Sequence, residues 1–280
     1  MILLDKPSID LREILKDCTS NVRNISLKTR VYEEMENFTF RIQEYDSKAK
    51  LGELTTIPVH ETVSDKISKE EMTWLYERKF VPKGEPGRKY YNEILHSTRK
   101  CPICGFRPPK TLDHYLPKAK YPIYAVTPLN LLPCCRDCNS IKGDIAPVLG
   151  KETLHPYYDD VNDQKWMFAK LGAYNEYGFS FFVRKPEGWT NEKYSKVEHH
   201  FGLFELSDLY SVLASEELSS QAYTLKNLYN IGGGEAVRIQ LIEYQKSAEA
   251  YSLNHWKSAM YEALVHSEWF CNDGIQHYTV

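Results

Sequence analysis

Apolar positions recur at helical spacing along most of the chain. Leu11, Leu15 and Cys18 fall at i, i+4 and i+7, one face of a helix that Ser8 or Asp10 can cap. A second helical stretch is predicted from about Thr29 to Tyr45. TTIPVHETVSD reads as a loop with a short extended piece. SKEEMTWLYERKF reads as a helix with Ser68 as N-cap and Glu71 closing a capping box. VPKGEPG is a turn-rich breaker, and RKYYNEILHS is a short helix. Further on, KWMFAKL and GFSFFVRK can pair as strands through the turn GAYNEYG. LSDLYSVLASEELSSQAYTLKNLY holds one or two helices, and GGG at 232–234 is a break. Val237, Leu241, Tyr244, Ala248 and Tyr251 then form a helical stripe, continued by Trp256, Met260 and Ala263 or Leu264 in a last helix. These stripes read as core rather than as a site.

The pattern divides the chain into three regions. An N-terminal helical region spans 1–95, a central region dense in Cys, Pro and Lys spans 96–150, and a mostly helical region with a short hairpin spans 151–280. The expected fold class is mainly α with a small core at the centre. That central region is too polar and too short to build an ordinary core, so it is expected to need a staple. The composition, 42% hydrophobic and 26% charged, is that of a soluble globular protein. There is no apolar run of about eighteen residues, so no membrane association is expected. The opening MILLDKPSIDLREILKDC has no basic n-region and does not read as a signal peptide, which leaves a cytoplasmic location as the expectation.

Charge adds a local feature to a neutral whole. The net charge is −3, yet the segment from Arg78 to Lys120 holds eleven basic residues against three acidic ones, a net of +8. A basic centre between acidic flanks suits an anionic partner; the plain alternative is solvated loop charge.

Five of the seven cysteines lie between 101 and 138. CPIC at 101–104 and CRDC at 135–138 are two C-x-x-C units, and four thiolates from two tight turns suit one tetrahedral zinc. Cys101, Cys104, Cys135 and Cys138 are the predicted ligands. Cys134 is adjacent, but the spacing favours Cys135. Gly105 and Asn139, which follow the two units, are expected to take the left-handed backbone of a knuckle exit. A closed four-thiolate site has no open position, so its role is to pin what lies around it.

Between and beside the units lie LDHYLPKAKYP, TPLNLLPCC and CNSIKGD. Over about 101–144 the chain resembles the HNH endonuclease family. The residues that carry the resemblance are Asp113-His114, Asn130-Leu131 and Cys138-Asn139-Ser140-Ile141-Lys142. It implies a ββα-metal core, a two-stranded hairpin followed by a helix gripping one divalent cation. It also implies His114 as general base, Asp113 as metal ligand, Asn130 as the residue tying the loop to the strand, and Asn139 as the second metal ligand. Histidine stands at this last place in the name-giving members, so this is the H-N-N variant. The oxygen ligand set suits Mg²⁺ or Mn²⁺. Lys142, Lys118 and Lys120 are expected phosphate contacts.

Chemistry independent of the name points the same way. Phosphodiester hydrolysis needs a deprotonated water and relief of charge on the leaving oxygen, and a neutral histidine beside a bound cation offers both. Neighbours on a regular strand point to opposite faces, so Asp113 and His114 require a bulged or ending strand to meet one metal. His155 is an optional extra ligand or phosphate contact, with a structural role favoured; His199 and His200 receive no role. The flanks LYERKFVPKGEPGRKYYNEIL and HPYYDD, with a late HWKSAMYEAL helix, resemble bacterial anti-phage HNH proteins of the Septu type. That likeness implies a nuclease effector acting on DNA and working with a partner ATPase. The alternatives are a non-catalytic zinc-stapled module that binds nucleic acid or a partner, and an RNase toxin.

Overall fold

Asp10, not Ser8, caps the first helix: its carboxylate accepts a hydrogen bond from Arg12 N at 2.8 Å. Helix α1 (Leu11–Ser20) then buries Leu11, Ile14, Leu15 and Cys18 along one face. The computed structural model describes residues 2–172 and 178–278. The stretch expected to be one helix is two, α2 (Ile25–Glu33) and α3 (Met35–Leu51), with Asn24 capping the former. The chain turns at Glu34, so Leu27 and Val31 of α2 share a core with Phe38 and Tyr45 of α3. Ser68 and Glu71 form the expected capping box at the head of α4 (Lys69–Leu75). This helix runs directly into a wider π turn, Tyr76–Phe80. Helix α5 (Arg88–Leu95) follows the breaker.

The centre of the chain forms a ββα unit. Strand β1 (Thr111–His114) pairs antiparallel with β2 (Leu131–Cys134), Asp113 opposite Leu132 and His114 opposite Leu131. Helix α6 (Arg136–Lys142) leaves β2 at once. The connection from Tyr115 to Asn130 is folded tightly, with 3₁₀ turns at Pro122–Tyr124 and Pro128–Asn130.

The chain divides into two compact units, Met1–Asp160 and Val161–Val280. The first unit takes in the 1–95 and 96–150 regions together with ten residues beyond them. Here the expectation of a central region without a core of its own needs correction. Leu112, Tyr115, Leu116, Tyr124, Val126, Leu131 and Leu132 are buried in the same cluster as Ile14, Phe38, Met72 and Phe80. The central region thus completes its core with the N-terminal helices and does not depend on a metal staple alone. Tyr157 extends the cluster, donating from its hydroxyl to Leu131 O at 2.9 Å, which carries this unit past residue 150.

The second unit pairs β3 (Met167–Leu171) with β4 (Phe179–Val183), as expected; the turn GAYNEYG between them falls largely outside the described residues. Helix α7 (Asn191–Leu203) precedes a long helical stretch, α8 (Leu206–Tyr251). The glycine break predicted in α8 is real: Gly232 and Gly233 leave helical geometry, Gly233 with φ +65°. A Cβ on Gly234 would stand 2.2 Å from Asn272 Oδ1, so this position has no room for a side chain. The stripe beyond it buries Val237 and Leu241 but runs out, and Tyr251 is 65% exposed. Helix α9 (Trp256–Val265) buries Met260 and Leu264 as expected. No helix among the described residues is long and apolar enough to cross a membrane. The fold is mainly α, with two small two-stranded sheets among the described residues.

One buried side chain fixes the start of β3. Asn254 Oδ1 accepts from Trp166 N at 2.8 Å and Met167 N at 3.2 Å, while its Nδ2 donates to Gln164 O at 2.8 Å. Asn254→Ala strands two buried amide donors and should cost about 2–4 kcal/mol by chemical denaturation. A loss below about 0.5 kcal/mol would show that water or a strand shift replaces the amide.

Candidate active site and metal centre

The two C-x-x-C units meet. The sulfurs of Cys101, Cys104, Cys135 and Cys138 all lie within 4.8 Å of one another, and all four residues are buried. The first unit is a tight turn: Gly105 N donates to Cys101 O at 2.8 Å, and Gly105 takes φ +67° as expected. The second unit sits at the head of α6, where Cys138 N donates to Cys135 Sγ at 3.5 Å. Asn139 therefore lies inside the helix, and the expected left-handed exit is absent there. Cys134, at the end of β2 opposite Thr111, is not one of these four sulfurs, though its thiol hydrogen-bonds with Cys101 and Cys135. An ion pair at 2.8 Å from Arg107 Nε to Asp137 Oδ2 ties the two units together. Hydrogen bonding from Cys104 draws Cys101 down to about 3 and pushes Cys104 up in return. A cation relieves this crowding by taking the place of the shared protons. The set fits one tetrahedral metal ion.

A cleft of about 390 Å³ runs across the end of β1. Asp113, His114 and Asn139 all line it, with Tyr76, Glu77, Lys118 and Asp144 among its other walls. The two neighbours reach it from opposite flanks of the ending strand. Asp113 turns toward α6, where Lys142 Nζ lies 3.4 Å from its Oδ2. The His114 ring meets the π turn, packing edge-on to Tyr76 with centroids 4.6 Å apart. Its Nε2 lies 2.8 Å from Ala125 O. A carbonyl only accepts, so Nε2 carries the hydrogen and Nδ1 of the neutral ring keeps the lone pair. Burial holds the imidazole down at about 3, against the pull of the Ala125 carbonyl, so the ring is neutral at pH 7. Burial likewise pushes Asp113 up to about 6, and Lys142 limits the rise.

Asn130 holds the loop that positions Ala125. It is fully buried. Its Oδ1 accepts from Leu116 N at 2.7 Å and from Tyr45 Oη at 3.2 Å; its Nδ2 donates to Leu116 O at 3.0 Å and Tyr124 O at 3.2 Å. The Tyr45 hydroxyl also lies 3.1 Å from His155 Nε2. His155 sits among Tyr45, Tyr115, Tyr157 and Tyr158 and is not part of the cleft lining.

The lysines divide. Lys118 lines the cleft and pairs with Glu77 at 3.1 Å. Lys120 is exposed and not part of the lining. Lys142 departs from its expected role: it is 3% exposed, its ammonium lies 2.5 Å from His114 O, and it faces a carboxylate rather than solvent. The basic segment is also less available than its charge suggests, because Lys79, Lys89 and Arg107 also pair with carboxylates. Sequence reasoning missed Tyr45 and Tyr76. Both come from segments far away in the chain, and only Tyr76 fell in a stretch the sequence had marked, the flank LYERKFVPKGEPGRKYYNEIL.

Two side chains bring oxygen donors to the cleft. Asp113 Oδ2 is buried without a hydrogen-bond partner, since 3.4 Å to Lys142 is an ion pair and not an aligned bond. The Asn139 side-chain amide has no partner among the described residues, and Asn139 lines the same cleft. Both are oxygen donors of the kind that Mg²⁺ and Mn²⁺ accept.

Fold and site together define a helix-rich chain with a ββα unit, a four-cysteine cluster and an Asp-His-Asn cleft. No protein-family model and no solved structure matches it. Protein ea31 of Escherichia phage lambda is 30% identical over 298 aligned positions, covering 95% of this chain and 98% of ea31. The chain belongs to the family of ea31.

Two measurements test this description. Cys101→Ser or Cys138→Ser should lose the bound metal ion and lower the stability of the first unit, read by elemental analysis and thermal denaturation followed by circular dichroism. One metal ion per chain retained in both variants would exclude the cluster as its holder. The second test is pH. His114 is depressed from its usual 6.5 to about 3, so in metal-free protein the unfolded chain takes a proton that the folded one refuses, and stability falls with acid through that window. Asp113 is raised from 3.8 to about 6, so its contribution has the opposite sign and stability falls as pH rises through its window. His114→Gln removes the first contribution. Its urea midpoint at about pH 4.5, relative to neutral pH, should exceed that of the wild type. Parallel profiles would mean His114 is solvated.

Proposed function

We propose that the protein is a metal-dependent endonuclease of the HNH type, in its H-N-N form, hydrolysing DNA phosphodiester bonds. The observation that carries this reading is the convergence of Asp113, His114 and Asn139 on one cleft of a ββα unit. His114 takes the proton of the attacking water at Nδ1, because Nε2 is committed to Ala125 O. Asn130 keeps the ring in that tautomer by holding the loop that carries Ala125. Tyr76 limits the tilt of the ring from the other side. A divalent cation, Mg²⁺ or Mn²⁺, held by Asp113 and Asn139 supplies charge stabilisation at the phosphate and the leaving oxygen when bound. Lys118, at the mouth, meets the phosphate backbone after exchanging Glu77 for it.

The ion in the four-cysteine cluster is zinc in this reading. Four thiolates and no open position suit a structural zinc that fixes the head of α6 to the CPIC turn. The resemblance of the flanks to Septu-type proteins supports a role as the effector of an anti-phage system with a partner ATPase. The family's phage member, ea31, shows that chains of this kind occur in bacteriophages too.

The deciding experiment is cleavage of plasmid DNA, with structured RNA in parallel, by zinc-loaded protein with added Mg²⁺ or Mn²⁺. His114→Ala should lower the rate at least about 100-fold while leaving zinc content and folding unchanged. A variant as fast as the wild type would remove His114 as the base, and cleavage of RNA alone would move the substrate.

A further inference from the structure

Lys142 is the most deeply buried cationic group of the site, and it serves no substrate where it stands. Its ammonium lies 3.4 Å from Asp113 Oδ2 and donates at 2.5 Å to His114 O. The side chains of this pair are 4% and 6% exposed. A lone buried ammonium or carboxylate costs several kcal/mol, so the two charges persist here because each balances the other. The pair is not a saturated one, because Asp113 Oδ2 has no hydrogen-bond partner. Asn139 stands three residues before Lys142 on α6, which puts both on one helix face. The one cleft is lined by Asp113 and Asn139, and the ammonium sits against the same carboxylate. A single positive charge therefore already occupies the electrostatic place of a metal ion at Asp113.

We propose that Lys142 is a resident cation that competes with the divalent ion for the Asp113 carboxylate, and so sets how tightly the site takes metal. This rests on the reading of Asp113 and Asn139 as metal ligands. Without the divalent ion, the ion pair keeps Asp113 charged and α6 seated on β1. On loading, the ammonium gives up Asp113 and keeps the His114 carbonyl, its second and shorter contact. The site is then weakly loaded by design of its own charges, and it fills when metal and an anionic substrate arrive together, since the phosphate offsets the added positive charge. Lys142 is thus a positioning residue that acts through Asp113.

The test is Mn²⁺ binding by electron paramagnetic resonance on the full, zinc-loaded chain without substrate. Four proteins are compared: wild type, Lys142→Gln, Asp113→Asn and the double variant. Glutamine keeps a donor for the His114 carbonyl and drops the charge. Lys142→Gln should bind Mn²⁺ at least about tenfold more tightly than wild type, and the gain should vanish in the double variant. Lys142→Arg, which keeps the charge, should bind no more tightly than wild type. Without Mn²⁺, Lys142→Gln should lower the melting temperature, and the double variant should recover part of the loss. If Lys142→Gln does not fold, Lys142→Met replaces it in the same comparison. Binding by Lys142→Gln that equals or falls below that of the wild type, with both dependent on Asp113, overturns the competition while leaving the metal site intact. Binding that ignores Asp113 in every variant, or no binding in any, overturns the metal-site reading and the competition with it.

Discussion

The Asn130 side chain is the contact on which the geometry of the cleft rests. It spends its amide on backbone groups at the start of the 115–130 connection, at Leu116, and past its middle, at Tyr124. That connection is sixteen residues long, far beyond a tight hairpin turn, and the backbone pairing of β1 with β2 does not by itself fix its path. With Asn130 in place, Ala125 O stands 2.8 Å from His114 Nε2. The tautomer of the histidine is thus decided by a residue that never touches it. Tyr45 continues the chain of bonds to His155, so the N-terminal helices and the segment after residue 150 share in holding the same loop. A buried network of this kind is stable only while every member is satisfied, which makes it a strong determinant of a single conformation.

The second constraint is charge. A carboxylate buried beside a neutral imidazole needs a counterion, and Lys142 supplies it from the last turn of α6. The same helix is capped by Cys135 and carries Cys138 and Asn139. Seven residues thus serve two sites. A helix this short has little stability of its own. It is held by thiols at its head and by an ion pair and a carbonyl contact at its tail. The four-cysteine cluster and the cleft are for this reason mechanically one object, though they share no ligand.

Much of this was legible in the chain because it depends on local chemistry. The capping box at Ser68 and Glu71, the glycine break at 232–234 and the choice of Cys135 over Cys134 are all set by residue type at short spacing. What was not legible depends on distant partners. A lysine three residues past an asparagine reads as solvent-facing until a strand 28 positions away presents a carboxylate and a carbonyl to it. The +8 segment reads as a free basic surface until Asp17, Glu77, Glu85 and Asp137 are brought against it. Tyr45 and Tyr76 look like ordinary core aromatics in sequence, and both are core; only the fold shows that Tyr76 also lines the cleft and that Tyr45 bonds Asn130.

The adjacency of Asp113 and His114 also has a physical resolution. On a continuing strand, alternation would give one of them to the core. Here β1 stops at His114, and the chain turns away under the clamp of Asn130. The strand end therefore presents two flanks, one covered by α6 and the other by the π turn after α4. Each flank gives its residue a different environment. Asp113 meets an ammonium and keeps its charge, while His114 meets a carbonyl and an aromatic ring and stays neutral. Opposite protonation states on neighbouring residues require opposite surroundings, and an ending strand between two helical elements is an economical way to provide them.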